Sequence, residues 1–136
     1  RPVKLGGKRL LDGGVSDPIP VKWMLSRGYE KNVVVLTRDV KYRKKANPKM
    51  QLFLKAVLHK YPAFLKDLEE RHIHYNETLE ELASLEKEGR IHIIRPSSPI
   101  QAAMIERDES NLERIYQTGR ADMKKDLEKL KAYLDS

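Results

Sequence analysis

The chain has 136 residues, of which 40% are hydrophobic and 35% charged, and it contains no cysteine. This composition suits a globular domain with its own core, and the lack of cysteine excludes a disulfide framework and a thiolate zinc site. The longest aliphatic run, residues 33–36, is far shorter than the ~18 residues of a membrane-spanning helix, and no signal-peptide pattern is present, so we expect a cytoplasmic protein.

The net charge of +7 is unevenly distributed. Residues 1–60 hold 15 Lys and Arg against 4 Asp and Glu, whereas residues 61–136 hold 12 against 16. The basic half could face the phosphates of a lipid or a nucleic acid, or it could be a solvated face that an acidic partner covers. The chain also begins at Arg1-Pro2 without an initiator methionine, from which we expect a processed chain or a fragment.

The first 37 residues predict a βαβ unit. A strand ends within residues 8–11, a helix begins after Asp17 and runs to about residue 27, and Gly28 suits its C-terminal end. Residues 32–37 contain four consecutive aliphatic side chains, which indicates a strand that is buried on both faces of a parallel sheet. The order strand, helix, strand predicts that the two strands pair through a right-handed crossover.

The rest of the chain predicts a polar loop, five helices and one strand. The fold class is therefore α/β at the front and mainly helical behind, with a boundary at residue 47. The predicted segments are the loop over 38–47, helices over 48–60, 62–70 and 75–87, a strand over 91–95, a helix over 110–117 that Ser110 caps and Gly119 ends, and a helix over 120–134.

A carboxylate, Asp12, follows the first predicted strand. Open α/β sheets bind ligands at the carboxyl ends of their strands, which makes Asp12 a candidate catalytic residue. Gly13 and Gly14 would permit unusual φ angles and a close approach of substrate. The alternative is a turn in which Asp12 only accepts hydrogen bonds from nearby amides.

Three segments of the chain together resemble the bacterial patatin-like phospholipases. These segments are Asp12-Gly13-Gly14, the run from Ser16 to Val21, and the run from Val33 to Arg38. Further similar positions are Tyr42-Arg43-Lys44, Asp108, Leu112, Ile115, Tyr116 and Gly119, so the resemblance covers essentially the whole chain. It implies that residues 1–47 are the C-terminal part of the catalytic domain, an incomplete three-layer sheet, and that residues 48–136 are a helical region with one further strand.

The resemblance implies a serine acyl hydrolase with a Ser–Asp dyad, no cofactor and no metal. Asp12 is the position that matches the general base, and the substrate would be a phospholipid or another lipid ester. The sequence has no Gly-x-Ser-x-Gly, and Ser16 lies too near Asp12 to be the nucleophile. We therefore expect the nucleophile in a missing N-terminal segment and no activity of this chain alone. The alternative is a non-enzymatic basic domain that binds an anionic membrane or RNA.

A basic segment follows the predicted strand over residues 32–37. Basic residues with an aromatic neighbour suit a lipid head group or an anionic membrane surface, which would place the protein at the membrane periphery. A solvated loop is the alternative, and the resemblance makes nucleic acid the less favoured partner. The candidate contacts are Arg38, Lys41, Tyr42, Arg43, Lys44 and Lys45. We expect His59, His72, His74 and His92 to be structural or surface residues, because none makes an i, i+4 metal-binding pair.

Overall fold

The computed structural model describes residues 3–103 and 105–136 as a mixed α/β protein. It contains two small sheets and a long C-terminal helix. The elements in chain order are β1 (Val3–Leu5), β2 (Lys8–Leu10), a short 3₁₀ helix (Gly13–Val15), α1 (Val21–Ser26), β3 (Asn32–Val35), α2 (Pro48–Leu58), α3 (Pro62–Lys87), β4 (Ile91–Ile94) and α4 (Glu109–Asp135).

The described residues form two compact units. Unit 1 comprises the residues up to Pro20 together with Arg43–Glu81, and unit 2 comprises Val21–Tyr42 with Leu82–Ser136. None of the described helices is long and apolar enough to cross a membrane.

A β-hairpin begins unit 1. β1 and β2 pair antiparallel with Leu5 opposite Lys8, so Gly6 and Gly7 form the connecting turn. Both glycines have positive φ, +55° and +75°, as a tight two-residue hairpin turn requires. The predicted βαβ unit is therefore wrong, because the strand over residues 8–11 pairs with its neighbour in a hairpin rather than with the strand that follows α1.

The parallel sheet lies in unit 2 and consists of β3 and β4. Asn32 pairs with Ile91 and Val35 with Ile94, and α2 and α3 separate the two strands in the chain. α1 packs near β3 and α4 near β4. The predicted strand over 32–37 is present as β3 but ends at Val35, and Val33 and Val35 are 40% and 69% exposed. The expectation that both faces are buried is therefore wrong for the described residues.

The buried core also belongs to unit 2. Its apolar members come from α1, α3 and β4, and they are Val21, Leu82, Leu85, Ile91 and Ile93. Asn32 is buried with them, and its side-chain amide donates to Tyr29 O at 2.6 Å. Within the described part of unit 1, no residue is buried to the same degree.

Each of the two long helices stands where the sequence predicts two shorter helices. α3 runs without interruption through residues 71–74, where no Gly or Pro breaks the backbone ladder. α4 contains Gly119 in its interior, because the strong helix formers around it outweigh a glycine cost of about 1 kcal/mol. The N-cap of α4 is Asp108 rather than the predicted Ser110. Asp108 Oδ1 accepts a hydrogen bond from the N–H of Ser110 at 3.0 Å.

One side-chain cluster ties α4 to β4. His92 Nε2 lies 2.6 Å from Asp126 Oδ2, and the His92 ring stacks on Tyr133 with centroids 5.7 Å apart. The Tyr133 hydroxyl accepts from Asn32 N–H at 2.8 Å and donates to Arg90 O at 3.0 Å. These contacts give His92 a structural role, as the sequence predicts.

Candidate functional site

The carboxylate of Asp12 begins the 3₁₀ helix of unit 1. Asp12 is the N-cap, and its Oδ1 accepts from Gly14 N–H at 2.9 Å. Asp12 is exposed, and its backbone carbonyl accepts from Val15 N–H at 3.3 Å. The hydrogen bonds of a turn are thus present, and they hold one carboxylate oxygen in place while the side chain stays open to solvent.

Gly13 and Gly14 have different local roles. Neither has a positive φ, so the expectation of unusual backbone angles is wrong for both. A Cβ on Gly14 would lie 3.3 Å from Asp12 Oδ1, a tight contact, whereas a Cβ on Gly13 would meet nothing within 4 Å. Gly14 therefore leaves room for the Asp12 carboxylate, whereas no such steric need applies at Gly13.

Asp12 and Gly13 line a cavity of about 440 Å³ inside unit 1. This volume lies within the ~300–1,000 Å³ of small-molecule sites. The walls are mostly apolar, and they come from the hairpin, the 3₁₀ helix, the end of α2 and the start of α3. The other lining residues are Arg9, Leu10, Leu11, Val15, Ser16, Leu58, Tyr61 and Phe64.

Two arginine side chains form hydrogen bonds with residues around this cavity. Arg9 Nη1 donates to the Tyr61 hydroxyl at 3.0 Å, and both residues line the cavity. Arg71 Nη2, from α3, donates to the carbonyl of Gly14 at 2.9 Å. The turn that carries Asp12 is thus attached to α3 through its backbone.

The predicted basic contacts are divided between the two units. Arg38, Lys41 and Tyr42 lie in unit 2, where the Arg38 guanidinium lies 5.1 Å from the Tyr42 ring centroid. Lys41 and Tyr42 line a surface cavity with Ser97, Ser98 and Pro99, among others. Arg43, Lys44 and Lys45 belong to unit 1, and the two lysines line a cavity with residues of α2 and α3.

Sequence reasoning missed the residues that complete both cavities of unit 1. Leu58 and Phe64 are half-buried and line the cavity beside Asp12. Arg71 and His72 line the second cavity with Lys44 and Lys45. No local signal joins these segments, because they meet only through tertiary contact.

In the part of the chain that the structure describes, three carboxyl or imidazole groups have shifted pKa values, namely Glu106 and Asp122 in unit 2 and the exposed His74 in unit 1. Hydrogen bonds from the N–H of Asp108, the Asn111 side chain and two further backbone N–H groups lower the pKa of Glu106 to about 2. The backbone N–H and the side chain of Ser97 lower the pKa of Asp122. A side-chain hydrogen bond with Glu77 raises the pKa of His74. Within the described residues, no group of three or more His, Asp or Glu could hold a metal ion.

No curated protein and no solved structure matches the chain. One family model does match, and it covers residues 61–135, which include α3, β4 and α4. Arg71 and His72 lie inside the matched segment, whereas Asp12 and the basic residues from Arg38 to Lys45 lie before it. Because the match spans more than half of the 136 residues, the chain belongs to the family of the domain of unknown function DUF6363.

Proposed function

We propose that this chain contributes the general base, Asp12, of a patatin-like serine acyl hydrolase that cleaves lipid esters. The observation that carries the proposal is the position of Asp12 on the wall of a mostly apolar cavity of about 440 Å³. Such a cavity can take the acyl chain of a lipid, because burying apolar surface stabilises the complex by about 25 cal/mol per Å². The resemblance of Asp12-Gly13-Gly14 to the patatin-like motif supplies the reaction class.

The chemistry needs a serine from outside these 136 residues, in a Gly-x-Ser-x-Gly segment. Asp12 takes the hydroxyl proton as the serine oxygen attacks the ester carbonyl, and it gives that proton to the departing alcohol oxygen. Water then attacks the acyl-enzyme by the same route, which releases the carboxylic acid and restores the serine. The Gly14 N–H would hold Oδ1 of Asp12, which leaves Oδ2 to accept the proton.

A larger three-layer sheet is part of this proposal. In the described residues β3 pairs only with β4, so its second edge carries no strand. Val33 and Val35 of β3 are substantially exposed, which is unfavourable for a parallel sheet. Both features support the proposal that further strands of the hydrolase continue the sheet from β3.

The test uses a protein that joins this chain to its proposed nucleophile segment. Asp12→Asn keeps an oxygen for the Gly14 N–H but cannot take a proton, so we expect ester hydrolysis to fall by about 10²–10⁴-fold. The measurement is release of p-nitrophenol from a short-chain ester, with circular dichroism as the folding check. The 136-residue chain alone should release none above background.

Asp17→Asn is the matched control, since Asp17 is an exposed carboxylate nearby that does not line the cavity. We expect its hydrolysis rate to stay within about twofold of the unchanged protein. A folded Asp12→Asn protein with full activity would refute the proposal, and so would equal losses in the two variants.

The second candidate function is a non-enzymatic basic domain on an anionic membrane or RNA. Its supporting observation is the exposure of four basic side chains in or beside the loop that follows β3, namely Arg38, Lys41, Arg43 and Lys45. This candidate predicts binding to phosphatidylserine vesicles or to RNA that weakens steeply with salt. Absence of binding to both at low salt would eliminate it.

A further inference from the structure

A second cavity of unit 1, of about 240 Å³, collects three cationic side chains and a histidine. Lys44 and Lys45 come from the loop before α2, and Arg71 and His72 come from α3. The remaining lining residues are Ala46, Asn47, Met50, Gln51, Leu54 and Leu68, so no carboxylate is among the residues that line it. A small cavity with this charge suits an anion.

Reciprocal hydrogen bonds hold the lysine loop against α3. Lys44 N–H donates to Asn76 Oδ1 at 2.8 Å, and Asn76 Nδ2 donates back to Lys44 O at 3.0 Å. The Lys44 ammonium lies 5.3 Å from the centroid of the Tyr75 ring. The backbone beside both lysines is thus fixed rather than left to loop motion.

Arg71, which lines this cavity, has one hydrogen-bond donor without a partner. Its Nη2 donates to the Gly14 carbonyl, but Nε is buried and has no hydrogen-bond partner among residues 3–103 and 105–136. A buried donor without an acceptor is unfavourable. Because Arg71 lines the cavity, its guanidinium is available to bind an anionic oxygen there, which is the kind of acceptor that this group binds best.

The N-terminus of α2 also borders this cavity and adds positive potential to it. This helix has 11 residues, and Asn47, its N-cap, accepts from Met50 N–H at 3.1 Å. Asn47, Met50 and Gln51 of this first turn all line the cavity. The positive end of the helix dipole therefore lies beside the cavity that the three cations also line.

We propose that this cavity binds a phosphate group, carried by a lipid head group or free in solution. Its ligands would be the side chains of Lys44, Lys45 and Arg71. Of the five basic residues that the sequence singled out beside Tyr42, this assigns the anion to Lys44 and Lys45, and it adds Arg71. The inference deepens the proposed function by naming the recognised group, and only its lipid form rests on that function.

Phosphate binding would also restrain the turn that carries Asp12. Arg71 would contact the phosphate and the Gly14 carbonyl with one planar guanidinium, so an anion that fixes Arg71 also restrains residues 12–16. Phosphate should therefore slow hydrogen exchange of the Val15 and Ser16 amides, whose carbonyl partners are Asp12 and Gly13.

The experiment titrates the 136-residue chain with inorganic phosphate at constant ionic strength set by sodium chloride. Amide chemical shifts give Kd and locate the site. Lys45→Ala and Arg71→Lys should each raise Kd by about tenfold, because one removes a cation and the other removes the planar fork. Lys60→Ala is the matched control, since Lys60 is an exposed lysine of unit 1 outside the lining residues, and its Kd should stay within about twofold.

A second arm uses dihexanoyl phosphatidic acid below its micelle concentration. A Kd at least about tenfold lower than that of phosphate would assign the site to a lipid head group, and equal values would assign it to free phosphate. Binding of neither probe, or equal loss in Lys45→Ala and Lys60→Ala, would overturn the proposal. Because no step requires ester hydrolysis, failure here is distinct from failure of the Asp12 proposal.

Discussion

Gly14 is the residue on which the Asp12 turn depends most. Its N–H donates to Asp12 Oδ1, its carbonyl accepts from Arg71, and a Cβ in its place would lie 3.3 Å from the same Oδ1. The need for glycine here is therefore steric and local rather than a matter of φ. Gly13, with open space around it, carries no such constraint.

Glu106 is a second residue whose surroundings fix its charge. Its carboxylate accepts hydrogen bonds from the N–H groups of Asp108, Arg107 and Ala103 and from the Asn111 side chain, which lowers its pKa from 4.5 to about 2. A lowered pKa means that folding favours the ionised form. Its contribution to stability is therefore present above pH ~4.5 and disappears as the pH falls toward 2.

We predict that the amide shifts of Arg107 and Asp108 titrate together with a midpoint near pH 2. The measurement is a proton–nitrogen NMR titration from about pH 6 to about pH 1, so that points lie on both sides of the expected midpoint. Glu106→Gln removes the titrating group and should remove this transition while Asp122 continues to titrate. A midpoint near 4.5 in the unchanged protein would contradict the hydrogen-bonded geometry of Glu106.

At the scale of the elements, one glycine lies inside α4 without a structural reason for being glycine. Gly119 has no positive φ, and a Cβ there would meet nothing within 4 Å. Alanine loses less conformational entropy than glycine when a helix forms, so Gly119→Ala should stabilise the protein by about 0.5–1 kcal/mol. The measurement is urea unfolding followed by helical circular dichroism.

Gly89→Ala is the matched control for that prediction. Gly89 follows α3 with a φ of +73°, which an L side chain adopts only with strain. The control should therefore destabilise the protein by about 1 kcal/mol or more. If Gly119→Ala also lowered the urea midpoint, α4 would have to end near Gly119, as the sequence alone suggests.

At the scale of the whole molecule, the two units differ in how many apolar side chains they bury. Every buried apolar residue of the described chain belongs to unit 2, and the strands of unit 1 are exposed along their whole length. A two-stranded hairpin without a covering layer is marginal in water. Unit 1 should therefore open locally at a lower free energy than unit 2.

We predict that backbone amides of β4, such as Ile93, exchange with deuterium at least about tenfold more slowly than those of the β1–β2 hairpin, such as Leu5. The measurement is residue-resolved exchange by NMR at neutral pH, corrected for intrinsic rates. Equal protection in the two places would show that unit 1 has a core of its own that the burial of its side chains does not indicate.

Local signals in the sequence were sufficient to predict most of the individual helices and strands. Pro48 begins α2, Gly28 and Gly89 follow α1 and α3 with positive φ, and alternating β-branched residues form β4. These features act within one turn or strand, so the chain itself determines them. The two errors in helix number arose because polar or glycine positions inside α3 and α4 resemble ends, although the helices continue through them.

Only the tertiary structure decided which strands pair and which side chains share a cavity. The backbone hydrogen bonds of a sheet are the same for any sequence, so the aliphatic run of β3 could not identify β4 as its partner. Likewise, Lys45 and Arg71 come from separate segments, and they line one cavity because the Lys44–Asn76 bonds hold the loop on α3. The sequence determined that Asp12 follows a strand in a tight turn, and the fold determined that a cavity lies beside it.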